Sequence, residues 1–483
     1  MNKFLSVLTG VLFLCANACA NDFGLAGKRI GVQLGTTGDS LASSVPDATV
    51  ERYNKGGDAI QSLLAGKIDA VLIDEQPALA FVRGNRKLTI PDGAFDEESY
   101  AMAVSKKNPD LKADVNRVLA ELKNDGTISR VLNNYIGDDK GGFPPPPPQS
   151  DCPNGLLKIG TNATFPPYEF YEKGDIVGID VDLTKIIAQR LGKCAVVEDM
   201  EFDAIIPAIQ TGKIDIGAAG MTVTPERLKS IDFTDTYTTA KQVVVKLSDA
   251  GGNAEVRLAQ KFKSVFVEDA RWKYLLSGLG NTLIVTLFAA VIGVVLGGFI
   301  GIVRVFHDKN GGFPVLNAVC RVYVTAVRGT PAVIQLLIMY YVVFAAADVG
   351  KILVASVAFG LNSAAYVAEI VRSGILSVDA GQTEAGRSLG LNFPQTMRFI
   401  VLPQAFKNVL PALANEAISL LKETSVCGYI GLMDLTRGGD VIRSITYDAF
   451  MPLAAVALIY LALVVGLTAC VDKLEKRLKR NER

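Results

Sequence analysis

Apolar and polar positions are unevenly spread along this chain. Between residue 22 and about 270, short apolar stretches alternate with amphipathic ones; from Leu275 onward long apolar runs dominate. The first pattern predicts strands at 29–33, 70–73, 157–161 and 214–218, and helices at 57–64, 109–123, 181–191 and 202–211. Strands interleaved with helices argue for parallel α/β sheets, which take ligands at the carboxyl ends of their strands. The second pattern gives five apolar segments, 275–303, 315–346, 352–375, 409–432 and 452–470. Most exceed the roughly 20 residues needed to cross a bilayer. The fourth is interrupted by Glu416, Lys422 and Glu423, and charge inside a span usually faces a partner helix or a path.

Residues 1–20 carry Lys3, an apolar core over 4–15 and small residues at Ala18 and Ala20, the pattern of a secretory signal peptide, with an uncleaved anchor as the alternative. Either places residue 22 outside. Five spans then put the C-terminus inside, where the tail from Val471 has six basic against three acidic residues. The inner loops carry Arg304 and Lys309, then Arg372, Arg387, Arg398 and Lys407, as the positive-inside rule requires.

The chain has 483 residues with 49 acidic and 49 basic side chains. That balance argues against a nucleic-acid partner. Of seven cysteines only Cys152 and Cys194 fall in the exported part, where a disulfide is permitted and two free thiols are equally open. There is no phosphate-binding glycine loop, no metal cluster and no cofactor motif, and the one histidine, His307, lies in a charged loop.

Three stretches resemble the first lobe of bacterial polar amino-acid binding proteins: Asn162 to Phe170 (NATFPPYEF), Gly178 to Leu183 (GIDVDL) and Gly220 to Arg227 (GMTVTPER). Leu25 to Gly38 and Ala70 to Asp74 resemble the second lobe. The order departs from that family. The second-lobe segment and the end of the first lobe (22–137) come first, then a linker (138–155) with prolines 144–148, then the start of the first lobe (156–246). This reads as a circular permutation, and a proline run of roughly 3 Å per residue could bridge the old termini. Two incomplete domains pairing between neighbouring chains is the other reading.

The resemblance implies a site for an amino-acid zwitterion. Arg227 is expected on the α-carboxylate, with Thr222 and the backbone and hydroxyl of Thr37 completing that cradle. Asp74 and the Gly220 carbonyl are expected on the α-ammonium. Phe165 and Phe202 would sandwich the ligand side chain, and Asn162 and Gln33 would read its tip. No catalytic residue is expected. Asn162 carries no charge, which leans towards glutamine, asparagine or a similar ligand while leaving basic amino acids open.

After a tether (247–271), residues 272–478 resemble importer permeases. Glu384-Ala385-Gly386, then Gly390, then Leu402-Pro403 looks like the EAA signature of the polar amino-acid subfamily. Arg328-Gly329-Thr330-Pro331 and Lys422-Glu423-Thr424-Ser425 match as well. The signature reads as a helix–turn–helix: Asp379 caps a helix through Leu389, Gly390 stops it, Asn392 caps a second helix, and Pro403 breaks or re-aims the chain. Gly386, where the family usually has alanine, is expected to loosen the first helix.

The expected whole is a two-lobed α/β domain of the periplasmic-binding type II class, followed by an all-α permease domain of five transmembrane helices. The implied role is amino-acid import, with a separate ABC ATPase chain docking on the EAA loop and a permease homodimer in the bacterial inner membrane. A glutamate-receptor-type ligand-gated channel and a sensor receptor are the alternatives. A channel would need a filter segment and a receptor a cytoplasmic signalling domain, and neither is evident.

Overall fold

The computed structural model describes residues 23–95, 97–136, 141–144, 146–147, 151–248, 258–345, 349–446 and 448–480. The expected leader 1–20 lies outside them, as do parts of the 138–155 linker and the 247–271 tether. The chain divides near residue 264 into an α/β unit and a helical unit.

The α/β unit holds two main sheets. One has the order β2 (Thr49–Tyr53), β1 (Arg29–Gln33), β3 (Ala70–Asp74), β14 (Thr238–Leu247), β4 (Leu88–Thr89), with β5 (Glu97–Tyr100) also paired to β14. The other has the order β11 (Cys194–Asp199), β7 (Leu156–Thr161), β12 (Ile216–Gly217), β6 (Ala103–Val104), β13 (Asp232–Phe233). A small ribbon of β8 (Thr164–Phe165), β9 (Glu169–Glu172) and β10 (Asp175–Val177) flanks the second sheet's start. Each main sheet therefore mixes strands from the early and late parts of the chain.

Parallel pairing holds for β1 with β2 and β3, and for β7 with β11 and β12. The sheets are nevertheless mixed rather than parallel throughout. β14 runs antiparallel to β3, β4 and β5, and β6 antiparallel to β12 and β13. The reason is topological: the chain crosses between sheets twice, through β5–β6 and through β13–β14, and each crossing strand enters against the local direction. The central strand β3 is buried along its whole length, which accounts for its unbroken Ala-Val-Leu-Ile run.

Two early helices, Pro109–Asn124 and Thr127–Tyr135, share one core with the later helix Ile179–Arg190. Val115, Leu122 and Val131 bury their side chains there with Leu183 and Ile187. Tyr135 donates to Asp182 Oδ2 at 2.7 Å, and Arg190 pairs with Asp125 at 3.0 Å. Cys152 and Cys194 form a disulfide, with Cα atoms 5.3 Å apart, in keeping with the parallel pairing of β7 and β11 beside them.

Among the described residues of the helical unit, three helices are long and apolar enough to cross a membrane: Trp272–Lys309, Lys351–Leu376 and Phe450–Lys476. A fourth crossing is reached only if the pair Pro314–Arg328 and Ala332–Val343, bent by 108°, counts as one. The expected fourth span falls on the helix Leu402–Glu423, which carries Lys407, Glu416, Lys422 and Glu423 and is not among those apolar helices, followed by a 3₁₀ stretch Thr424–Ile430. By length and composition alone the described residues give three crossings, or four with the bent pair, which leaves the expected count of five untested.

Close approach of the first two long helices depends on small residues. A Cβ added at Gly297 would lie 2.5 Å from the Ala364 carbonyl, and one at Gly301 would lie 2.8 Å from the Ala368 carbonyl.

The EAA segment forms two helices. Asp379 accepts from Gly381 N at 2.7 Å and opens the helix Ala380–Ser388. Gly390 follows in the left-handed region at φ +83°. Asn392 then makes a reciprocal capping box with Gln395 over Phe393–Thr396. One expectation is corrected here. Pro403 neither breaks nor re-aims the chain: the helix continues from a π turn, Met397–Val401, straight into Leu402–Glu423. The wider turn bonds Leu402 N to the Met397 carbonyl and gives room to a ring that would otherwise crowd the preceding turn. Gly386 is buried against the second helix, and a Cβ there would meet Thr396 Cγ2 at 2.7 Å and Ile400 Cδ1 at 2.8 Å, which gives the glycine a packing role.

Candidate functional site

The two sheets of the α/β unit face one nearly closed cavity of about 10 Å³. Its lining includes Gln33, Thr37, Asp74, Asn162, Phe165, Phe202, Gly220, Thr222 and Arg227. Every expected ligand residue is therefore brought to one place, from both lobes. The ends of β1 and β3 deliver Gln33 and Asp74 from one sheet, and the ends of β7 and β12 deliver Asn162 and Gly220 from the other.

Arg227 opens into the cavity from the short helix Pro225–Leu228, which Thr224 caps. Its guanidinium donates to the Thr222 carbonyl at 2.7 Å and, across the lobes, to the Gly35 carbonyl at 2.9 Å. It also lies over the Phe202 ring, 5.3 Å from the centroid. Burial lowers its pKa, and the neighbouring Glu98 and Asp74 oppose that shift. A half-buried fork with a planar face is suited to a carboxylate.

Asp74 ends β3 and is buried. Burial raises its pKa to about 7 against the Tyr100 hydroxyl, which donates to it. Gly220 sits at φ +56°, and a Cβ there would lie 3.1 Å from Phe165 Cε1, so a side chain would be strained in its backbone and tight against that ring. The Gly220 N–H donates to Asp180 Oδ2 at 2.8 Å, and Asp180 also accepts from Tyr237 at 2.7 Å. These bonds fix the backbone that aims the Gly220 carbonyl.

Across the lobes Gln33 donates to Asn162 Oδ1 at 3.0 Å. That oxygen also accepts from Thr164 at 3.0 Å, while the Asn162 nitrogen donates to the Met200 carbonyl at 2.8 Å. Asn162 is thereby largely committed within the protein.

The expected hydroxyl donation from Thr37 and Thr222 to a ligand carboxylate meets a competitor. Both hydroxyls donate to Glu98 Oε2, at 2.8 and 2.7 Å. Glu98, Tyr100, Asp180 and Tyr237 were not singled out for the site by sequence. The available signal for the first two was period-two alternation in β5, where Glu98 and Tyr100 share the inward face and Glu97 and Ser99 are exposed. Glu169 was also missed. It is buried in the lining, its Oε2 has no partner among the described residues, and burial raises its pKa well above the carboxylate range.

Comparison with known proteins places both units. Residues 157–423 match the bacterial extracellular solute-binding proteins, family 3, starting at β7 and running on into the helices. A linear match that enters there omits the similar residues preceding 137. The arginine transport system permease protein ArtQ of Bacillus subtilis (strain 168) is 37% identical over 211 residues, 43% of this chain and 94% of ArtQ. The glutamine transport system permease protein GlnP of Escherichia coli (strain K12) is 36% identical over 197 residues, 40% of this chain and 90% of GlnP. A crystal structure of an amino acid ABC transporter with histidines is 37% identical, covering 46% of this chain and 99% of that one, with a TM-score of 0.41. Nothing among these relatives supports a channel or a sensor receptor. The chain is an amino-acid ABC-transporter permease that carries its own solute-binding domain of family 3.

Proposed function

We propose that the α/β unit binds the zwitterion of a polar amino acid between its lobes and delivers it to a path through the helical unit. The observation that carries this is the convergence of Arg227 and Asp74, one from each lobe, on a single cavity lined by Phe165 and Phe202. A forked cation and a buried carboxylate match the two ends of a zwitterion, and aromatic rings match the side chain between them. Binding residues on both lobes make closure the ligand signal.

Residues 22–137 and 156–246 are read as one circularly permuted domain joined through 138–155. The sharing of both sheets between early and late strands supports this. The substrate is read as glutamine, asparagine or a similar uncharged amino acid, with basic ones as the second class. The lack of charge at Gln33 and Asn162 in the lining supports the first, and relatives named for arginine and for glutamine span both. The EAA helices Ala380–Ser388 and Phe393–Thr396 are read as the dock for a separate cytoplasmic ATPase, with two permease copies around the path. The same reading places the C-terminus inside and the chain in the bacterial inner membrane.

The test is reconstitution of the chain with an ATPase partner in proteoliposomes and a panel of twenty amino acids. The expected result is hydrolysis stimulated by one chemical class. Hydrolysis unchanged across the panel would sink the proposal.

A further inference from the structure

Strand β5 places Glu98 and Tyr100 on one face, two residues apart, at the junction of the lobes. Tyr100 donates to Asp74. Glu98 does the opposite and only accepts. Its Oε2 takes the Thr37 hydroxyl from the helix Thr37–Ser43 of one lobe and the Thr222 hydroxyl from the loop after β12 of the other. β5 is held for this task on both sides. Glu98 pairs with Ala240 of β14, and the Val223 N–H donates to the Ser99 carbonyl at 3.2 Å.

A threonine hydroxyl has one hydrogen and two lone pairs. With both hydrogens given to Glu98, Thr37 and Thr222 present only lone pairs elsewhere. One on Thr37 receives Gln242 Nε2 at 3.1 Å. Lone pairs repel a carboxylate oxygen and accept from an N–H. A carboxylate suits this purpose, because it has no hydrogen to donate and leaves the hydroxyls no choice of direction.

Resting on the reading of the cleft as an amino-acid site, we infer that Glu98 is a positioning residue. By taking both hydroxyl hydrogens it turns Thr37 and Thr222 into acceptors for the ligand's α-ammonium, beside Asp74. Recognition of the α-carboxylate is left to Arg227 and backbone N–H groups. Since the two threonines come from opposite lobes, this polarity is set only where the lobes meet.

The experiment is calorimetric titration of the full chain in nanodiscs. The ligands are the best binder among L-glutamine, L-asparagine and L-arginine, and the corresponding acid lacking the α-amino group, read by competition. Glu98→Met, which removes the acceptor at similar length, is expected to weaken the amino acid about 10- to 100-fold and the desamino acid by less than about 3-fold. Glu98→Gln keeps an oxygen able to accept both hydroxyls and should restore the amino acid to within about 5-fold of wild type. Equal losses for both ligands, no loss, or failure of Glu98→Gln to rescue would overturn the inference. Wild-type chain that binds no amino acid would instead remove the functional reading beneath it.

Discussion

The Tyr100 hydroxyl donates to the Asp74 carboxylate inside a buried cleft, yet burial still holds the pKa of Asp74 at about 7. Desolvation outweighs the hydrogen bond. An α-ammonium needs the ionised form, so the ligand must expel whatever proton Asp74 holds.

Amino-acid affinity should therefore rise about tenfold per pH unit below pH 7 and level off above it. Titration at pH 6 in two buffers of different ionisation enthalpy should show release of nearly one proton. Stability of the unliganded α/β unit runs the other way. A carboxyl raised from 3.8 to about 7 contributes stability below pH 3.8 that is lost as pH rises through about 7. Scanning calorimetry should find that unit's transition higher at pH 5.5 than at pH 8. A proton count of zero at pH 6 would contradict this account.

Arg227→Lys should weaken amino-acid binding by about 10- to 100-fold despite keeping the charge. One ammonium cannot hold the Thr222 and Gly35 carbonyls, stack on Phe202 and fork onto a carboxylate together. Equilibrium binding on the intact chain decides it, and a loss below about 3-fold would assign Arg227 to lobe packing alone.

Gly297→Leu should separate the helices Trp272–Asn310 and Lys351–Leu376, because the space beyond the Gly297 Cα is filled by the Ala364 carbonyl and Val367. Overpacking of this kind costs about 1–3 kcal/mol. The expected outcome is a lower melting temperature of the detergent-purified chain with unchanged ligand affinity. Gly298→Leu is the control, since nothing lies within 4 Å of a Cβ there.

Gly386→Val should push apart the two EAA helices, where Thr396 and Ile400 already close on the glycine. If these helices dock the ATPase, ligand-stimulated hydrolysis should fall about 10-fold while the amino-acid Kd is unchanged. Parallel measurement of both quantities in proteoliposomes separates a coupling defect from a binding defect.

Local patterns made much of the fold legible. The strand Arg29–Gln33 appears with the expected bounds, and Asp379, Gly390 and Asn392 take their expected places at helix ends. These features depend on neighbours a few residues away. What escaped depends on distant ones. Glu98 and Thr222 are 124 residues apart in sequence, and the bonding of β5 to the 221–223 segment, beside its pairing with β14, brings them together. Glu97, Glu98 and Ser99 look like a surface loop until that pairing is known. The antiparallel course of β14 was hidden for the same reason, as was the π turn that carries the helix past Pro403.

The sharing of strands has a consequence for the order of events during synthesis. β3 and β4 stay unjoined until β14 arrives between them, and β6 waits for β12 and β13 on its two sides. The second sheet is complete once Phe233 has been made, but the first cannot close before residue 247, only 25 residues ahead of the apolar helix that begins at Trp272. The last strand of the first sheet is thus made only just before the first long apolar helix, so that sheet's closure and the start of that helix fall close together in synthesis.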